Sequence, residues 1–384
     1  MTAVPFLDLR AAYAELGAEI DAAVGRVLAS GRYLEGPEVA AFEEDFAAYC
    51  GAEHCVAVGS GGDALEIALL ALGIGPGDEV IVPSHTFFAS WRSVSAAGAR
   101  PVPVEPAEDT ANLDPAGVEA AITARTRAIL PVHLYGQPAD LDAITAIAAR
   151  HGLAVVEDAA QAHGARHRGR RIGAGSLAAA FSFYPGKNLG ALGDGGAVVT
   201  SDAALAGRMR LRRSYGSRVK YRHEIVAGNS RLDELQAAVL RVKLARLDEW
   251  NARRAGVAAR YLRDLHGLDG LALPVVAPWA EPVWHLFVVR SPRRDELRRR
   301  LADAGIGTQI HYPVPVHRTA AYAAAGWPPG SLPVAERLAA EVLSLPMGPH
   351  LDKAAADAVV TAVRAAVQPR TPTNSPRPDG PPST

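Results

Sequence analysis

The chain has 384 residues, 49% hydrophobic and 21% charged, with a net charge of −1. That is an ordinary globular composition with ample material for a core, and its near-neutral charge excludes a global field drawing it to nucleic acid or a membrane surface. No run of 18 uninterrupted apolar residues suggests a spanning helix, and the N-terminus, MTAVPFLDLRAAYAEL, carries Asp8 and Glu15 where a signal peptide would be apolar.

In chain order, apolar spacing predicts a helix over 10–30 and, after Gly36-Pro37, a second over 38–50. The two cysteines, Cys50 and Cys55, are too few for a disulfide framework and fit a reducing, cytoplasmic compartment. From residue 53, β-rich and helical runs alternate. Strands are expected at 54–58, 79–83, 101–104, 128–133 and 153–157, with helices at 63–72, 88–97, 115–123 and 139–151. This alternation implies βαβ units, hence an α/β fold with a mostly parallel sheet covered by helices. A β-like run, 179–184, leads to Lys187 and then to a glycine-rich turn, 193–196. A helix to about 213, a basic loop and one or two helices over 232–262 follow. Residues 263–367 mix helices and strands (284–289, 308–312) and end in a helix, 353–367. The length predicts two domains, divided here as 1–245 and 246–367. The remainder, 368–384, holds six prolines and no aliphatic residue, so a disordered tail is expected.

In open parallel sheets, ligands bind beyond the carboxyl ends of strands. Polar residues stand at those ends: Ser60-Gly61-Gly62, Ser84 to Phe87, His133 and Asp158. The two glycines before a helix can turn amides toward an anion. A buried Asp158 needs a cationic partner, which a protonated pyridine nitrogen supplies, with Gln161 nearby for a ring oxygen. Phe87 can stack on a flat ring, Ser182 can add a hydroxyl to the anion cup, and Asn229 can cap a helix or meet an anion. Lys187, leaving a buried strand, loses hydration, which lowers its pKa and suits a Schiff base with an aldehyde cofactor. Each residue alone has a structural explanation. Together they form the parts list of a pyridoxal 5′-phosphate (PLP) site.

The segments GIGPGDEVIVPS, PVHLYGQPAD, EDAAQAHGA, FSFYPGKNLGALGDGGAVVT and NSRLDELQAAVLRVKL resemble the DegT/DnrJ/EryC1/StrS family of PLP-dependent sugar aminotransferases. SGRYLEGPE, PSHTFFASW and HYPVPVH are most similar to the branch acting on dTDP-3-keto-deoxyhexoses in antibiotic sugar biosynthesis. The resemblance, over roughly 5–365, implies the aspartate aminotransferase type I fold, L-glutamate as donor, and a homodimer with its sites at the subunit interface. It makes Lys187 the cofactor lysine, Asp158 the ring-nitrogen partner, Gln161 the ring-oxygen contact and Phe87 the stacking residue. Gly61, Gly62 and Ser182 would hold the phosphate, with Asn229 reaching it from the other subunit. Tyr184, Tyr221, His311 and Tyr312 would face the sugar. Gly62 departs from the family pattern, which often has threonine there. Lys187 separates the chain from a dehydratase branch that has histidine instead.

Other signals carry less. Seven Lys or Arg between 208 and 223 fit either a solvated face or a cradle for a nucleotide diphosphate. RHRGRR (166–171) reads as an exposed hairpin. His163 and His167 have helical spacing but no third ligand, so no metal is expected. The glycine pattern at 173–178 lacks a preceding apolar strand, which weakens an NAD-dependent oxidoreductase reading. A cofactor-binding regulator without turnover and a 4-keto-sugar aminotransferase stay open as alternatives.

Overall fold

The computed structural model describes residues 3–368, so the expected proline-rich tail lies outside them apart from Gln368. Strands β1 (His54–Val58), β2 (Glu79–Pro83), β3 (Arg100–Val104), β4 (Thr126–Ile129) and β5 (Ala154–Asp158) precede a short hairpin, β6 (Arg166–His167) and β7 (Arg170–Arg171). β8 (Ala178–Ser182) and β9 (Gly196–Thr200) complete the set, and seven strands make one sheet in the order β1-β9-β8-β5-β4-β2-β3. Pairings from β3 through β2, β4 and β5 to β8 are parallel, while β9 runs antiparallel between β8 and β1. β2 and β9 are buried along their whole length, the pattern of strands covered on both faces.

Helices α1 (Arg10–Ser30) and α2 (Pro37–Cys50) precede the sheet, α3 (Gly61–Ala71), α4 (Phe88–Ala96), α5 (Pro115–Ala121) and α6 (Leu141–His151) cross between its strands, and α7 (Ala203–Arg213) follows its last strand. Local sequence starts them: Ser60, Asp114, Asp140 and Asp202 each accept an amide of the helix they cap. After α7 come a hairpin, β10 (Ser217–Val219) and β11 (Arg222–His223), and two helices, α8 (Glu234–Leu244) and α9 (Leu247–Asp264), where the sequence allowed one or two. Short strand β12 (Ala280–Glu281), the antiparallel pair β13 (Phe287–Arg290) and β14 (Val342–Leu345), and helices α10 (Arg294–Asp303), α11 (Pro333–Glu341) and α12 (Lys353–Val367) follow. Residues from α9 to α12 share a hydrophobic cluster around Tyr261, Phe287 and Leu343, into which Val4 of the N-terminal segment also packs.

Two strand expectations are corrected. The run 128–133 stops as a strand at Ile129, because Pro131 has no N–H to donate and only Val132 bridges onward, to Asp158. Residues 308–312 form no strand: Gln309 exchanges hydrogen bonds with Ser344, and the chain then leaves β14 as the His311 carbonyl and the Tyr312 hydroxyl are held by Tyr135 and Gln161, from the connections after β4 and β5. The RHRGRR segment is the β6–β7 hairpin, with Gly169 in a left-handed turn.

Candidate active site

Asp158 closes β5 and is buried. Its Oδ2 accepts a hydrogen bond from Ser90 (2.7 Å) and its Oδ1 one from the Ala160 amide (3.1 Å). Ser90 spends its proton on Asp158, so the Thr86 hydroxyl, 2.9 Å away, donates to Ser90. Burial raises the Asp158 carboxyl, while Ser90, the Ala160 amide and the charge of Lys187 oppose that rise. No salt bridge engages this carboxylate among the described residues. It therefore suits a cationic ring nitrogen.

Lys187 sits five residues beyond β8 in a tight loop, its amide bonded to the Tyr184 carbonyl (2.8 Å). Burial lowers its pKa to about 8, against the raising effect of Asp158, which puts the two groups in one electrostatic site. The loop has no slack. A side chain at Gly190 would strike the Pro185 carbonyl, and the buried Lys243 of α8 donates to the Gly190 carbonyl (2.6 Å). His163 and His311, lowered by burial and then by the Lys187 charge to about 3 and about 4, are neutral neighbours of the lysine.

The anion cup lies where β1 meets α3. Ser60 caps the helix through the Asp63 amide (3.1 Å), and Gly61 and Gly62 open α3, where amides have no acceptor within the helix. A Cβ on Gly61 would come within 2.5 Å of the Ser182 Cβ, so only glycine lets α3 approach β8 this closely. At Gly62 the nearest atoms to a Cβ are 3.8 Å away, so glycine is not required by space there.

Gln161 links the far wall. Its Oε1 accepts the Tyr135 amide (2.6 Å) and its Nε2 donates to the Tyr312 hydroxyl (3.0 Å). The Tyr135 hydroxyl donates to the His311 carbonyl (2.5 Å), so His85 Nε2 donates to Tyr135 (2.8 Å). Burial alone lowers His85 to about 4, which keeps it neutral in that role. His311 Nδ1 lies 2.7 Å from the Ser344 hydroxyl. Phe87 is half exposed, with its ring 5.4 Å from that of Tyr312, which places a free aromatic face at the site mouth.

The chain thus gathers Lys187, Asp158, Gln161, Phe87, Ser182, Gly61, Gly62, His311 and Tyr312 around one region. Tyr184 is exposed beside the lysine loop. Tyr221 is 81% exposed at the tip of the β10–β11 hairpin, and Asn229 bonds Tyr215 on the surface. Among the described residues, no hydrogen bond or ring contact joins Tyr221 or Asn229 to Lys187, Asp158 or Gln161. His133, flagged at a strand end, is a buried structural group: its Nδ1 accepts the Ala139 amide and its Nε2 donates to Glu157 (3.0 Å). Cys50 and Cys55 are buried free thiols. Among the described residues no cluster of three or more His, Cys, Asp or Glu could hold a metal, and no helix is long and apolar enough to cross a membrane.

Sequence reading flagged His85 and Thr86 as polar residues at a strand end but missed Ser90, Tyr135 and Lys243. Ser90 lies in the first turn of α4, four residues after Thr86, a local signal that was present. Tyr135 and Lys243 meet the site only through tertiary contacts.

Known proteins resemble this chain over nearly its whole length. The chain is 67% identical to the Saccharopolyspora erythraea protein named erythromycin biosynthesis sensory transduction protein EryC1, over 94% of this chain and 99% of that one. It is also 67% identical to the dTDP-3-amino-3,4,6-trideoxy-alpha-D-glucose transaminase of Streptomyces venezuelae, over 94% and 95%. The crystal structure of S. venezuelae DesV in complex with a ketimine intermediate superposes with a TM-score of 0.95 at 65% identity, covering 96% of this chain and all of that one. Residues 14–364 match the DegT/DnrJ/EryC1/StrS aminotransferase family, a group of PLP-dependent enzymes, and the chain belongs to that family.

Proposed function

We propose that this aminotransferase moves an amino group from L-glutamate to C3 of a dTDP-linked 3-keto-6-deoxyhexose, in antibiotic deoxyaminosugar biosynthesis. One observation carries the catalytic part: a buried Lys187 amine, its pKa lowered to about 8, feels the charge of a buried Asp158 that forms no salt bridge among the described residues. The residues fit PLP. Gly61 and Ser182 form a cradle that any Cβ at Gly61 would fill, Phe87 offers a ring face, and Gln161 reaches the same wall. When bound, PLP supplies the aldehyde that takes up the amino group and the electron-withdrawing ring. Lys187 Nζ would take the proton from the donor Cα and return it to the carbon that the aldehyde supplied, across the intervening nitrogen, acting as base and then acid. Asp158, kept anionic by Ser90 and the Ala160 amide, holds the ring nitrogen protonated. The neutral imidazoles beside Lys187 add no second cation to the site, which leaves its amine free to accept that proton. In the second half of the cycle Lys187 moves a proton the opposite way as the keto sugar gains the amine.

The substrate reading rests on the relatives named for dTDP-3-amino sugars. The basic hairpin supports a diphosphate-bearing substrate: a groove of about 830 Å³ is lined by Arg210, Arg213, Arg218, Lys220, Tyr221 and Arg231. In this reading the enzyme is a homodimer, and the partner's copy of that hairpin, with Tyr221 and Asn229, completes each site. The exposure of Tyr221, Tyr184 and Phe87 fits surfaces awaiting a subunit or a sugar. Residues 1–245 form the cofactor-holding unit and 246–367 a smaller unit bearing His311 and Tyr312, consistent with the separate hydrophobic cluster of the second.

The test runs the reaction in reverse. Purified protein, 2-oxoglutarate and a panel of dTDP-3-amino and dTDP-4-amino deoxyhexoses are incubated, and glutamate is measured. Glutamate from the 3-amino sugars supports the proposal. Glutamate from the 4-amino sugars alone, or from none, overturns it.

A further inference from the structure

We infer that Arg92 is a cofactor-binding residue of this chain, reaching the phosphate alongside Gly62, where its guanidinium borders the position a side chain would take. This rests on the reading that residues 60–62 and Ser182 form a phosphate cup.

The cup is tight on one side and open on the other. Gly61 is pressed against Ser182, whereas a Cβ on Gly62 would have only Arg92 Nη1 and Ser60 Oγ, each at 3.8 Å, and the Ala89 methyl at 3.9 Å as neighbours. A guanidinium nitrogen therefore borders the space beside Gly61 and Gly62, the residues that open α3. Arg92 comes from α4, the helix that follows the stacking residue Phe87. It is held in place by Glu66 (2.7 Å) and stands 3.9 Å from Asp63 Oδ1. Asp63 Oδ2 is already engaged by the Ser230 hydroxyl (2.7 Å).

Arg92 pairs with Glu66 and stands near Asp63, so it offsets the carboxylates beside the cup. Asp63 and Glu66 occupy the first two turns of α3, next to amides that would hold a dianion. Unscreened, these carboxylates would repel it. Arg92 offsets them, and its planar fork has five N–H donors, so engaging Glu66 leaves others for a phosphate oxygen. Ser60 cannot fill this role, because its hydroxyl caps the helix.

The experiment compares PLP with pyridoxal, which lacks the phosphate, by equilibrium titration of the cofactor-stripped full chain, read by absorbance. Arg92→Met is expected to weaken PLP binding roughly ten- to a hundred-fold while leaving pyridoxal within about twofold. Salt should weaken PLP binding to the unaltered protein more than to Arg92→Met. In the Arg92→Met background, Gly62→Thr is expected to recover part of the PLP preference, since a Cβ there meets its neighbours only at ordinary contact distance and brings a hydroxyl to the cup. Arg92→Lys, which keeps the charge, guards against a folding defect and should retain most of the preference. Equal loss for both ligands, or no loss for either, overturns the inference. Failure of the unaltered protein to bind PLP at all sinks the cofactor assignment instead, so the two failures are distinguishable.

Discussion

Ser90 donates a 2.7 Å hydrogen bond to Oδ2 of Asp158 across 68 residues of sequence. The bond favours the charged carboxylate in a place where burial disfavours it. Ser90→Ala removes that support, so the Asp158 carboxyl rises further and holds a ring proton less well. A hydrogen bond to a charged group contributes about 1.5–3 kcal/mol, so kcat/KM is expected to fall about 10- to 100-fold. The acidic limb of the pH–rate profile should shift to higher pH, and Ser90→Thr should keep most of the activity. A Ser90→Ala enzyme with unchanged rate and unchanged acidic limb would contradict this role.

The two cup glycines should respond differently to a single methyl. Gly61→Ala drives a Cβ to 2.5 Å from Ser182 Cβ, which forces α3 away from β8. Overpacking of this kind costs about 1–3 kcal/mol and misaligns the first amides of α3. Gly62→Ala meets nothing closer than 3.8 Å. Thermal melts and PLP titrations should show clear losses for the first and near-parental values for the second; equal behaviour would mean the cup is not built as described.

The lowered pKa of Lys187 has a directional consequence. Only the neutral amine attacks an aldehyde, and burial brings its pKa from 10.5 to about 8. The rate of PLP capture by cofactor-stripped protein should therefore rise with pH and level off above about 8. Asp158 raises the lysine pKa, so Asp158→Asn should move the midpoint lower. Lys187→Ala should show no capture at all. A midpoint near 10.5 would show that the amine is solvated.

Tyr135 ties the large sheet to the segment carrying His311 and Tyr312. In Tyr135→Phe, His85 Nε2–H and the His311 carbonyl both lose their partner in a buried setting. Leaving such groups unpaired costs about 1–3 kcal/mol, with little change in volume. Urea denaturation should report a lower midpoint, and KM for the sugar should rise more than kcat falls as Tyr312 loses its fixed position. A parental midpoint would mean that water replaces the hydroxyl.

The alternation of strands and helices, the mostly parallel sheet and the place of Asp158 at a strand end were legible in the sequence, because these features follow from local periodicity and from polar residues where apolar runs stop. Local helix caps such as Ser60 and Asp202 acted within a few residues of themselves, so position in the chain was enough. The antiparallel insertion of β9, the loss of a strand at 308–312, and the supports from Ser90, Tyr135 and Lys243 were decided only by the tertiary structure. Each depends on which distant group desolvates or hydrogen-bonds a residue, and a carboxylate or amine at the end of a run carries no mark in its own sequence of the partner that sets its charge. Gly61 and Gly62 look alike on the page, yet only packing against Ser182 separates a glycine that space demands from one that leaves room for an arginine.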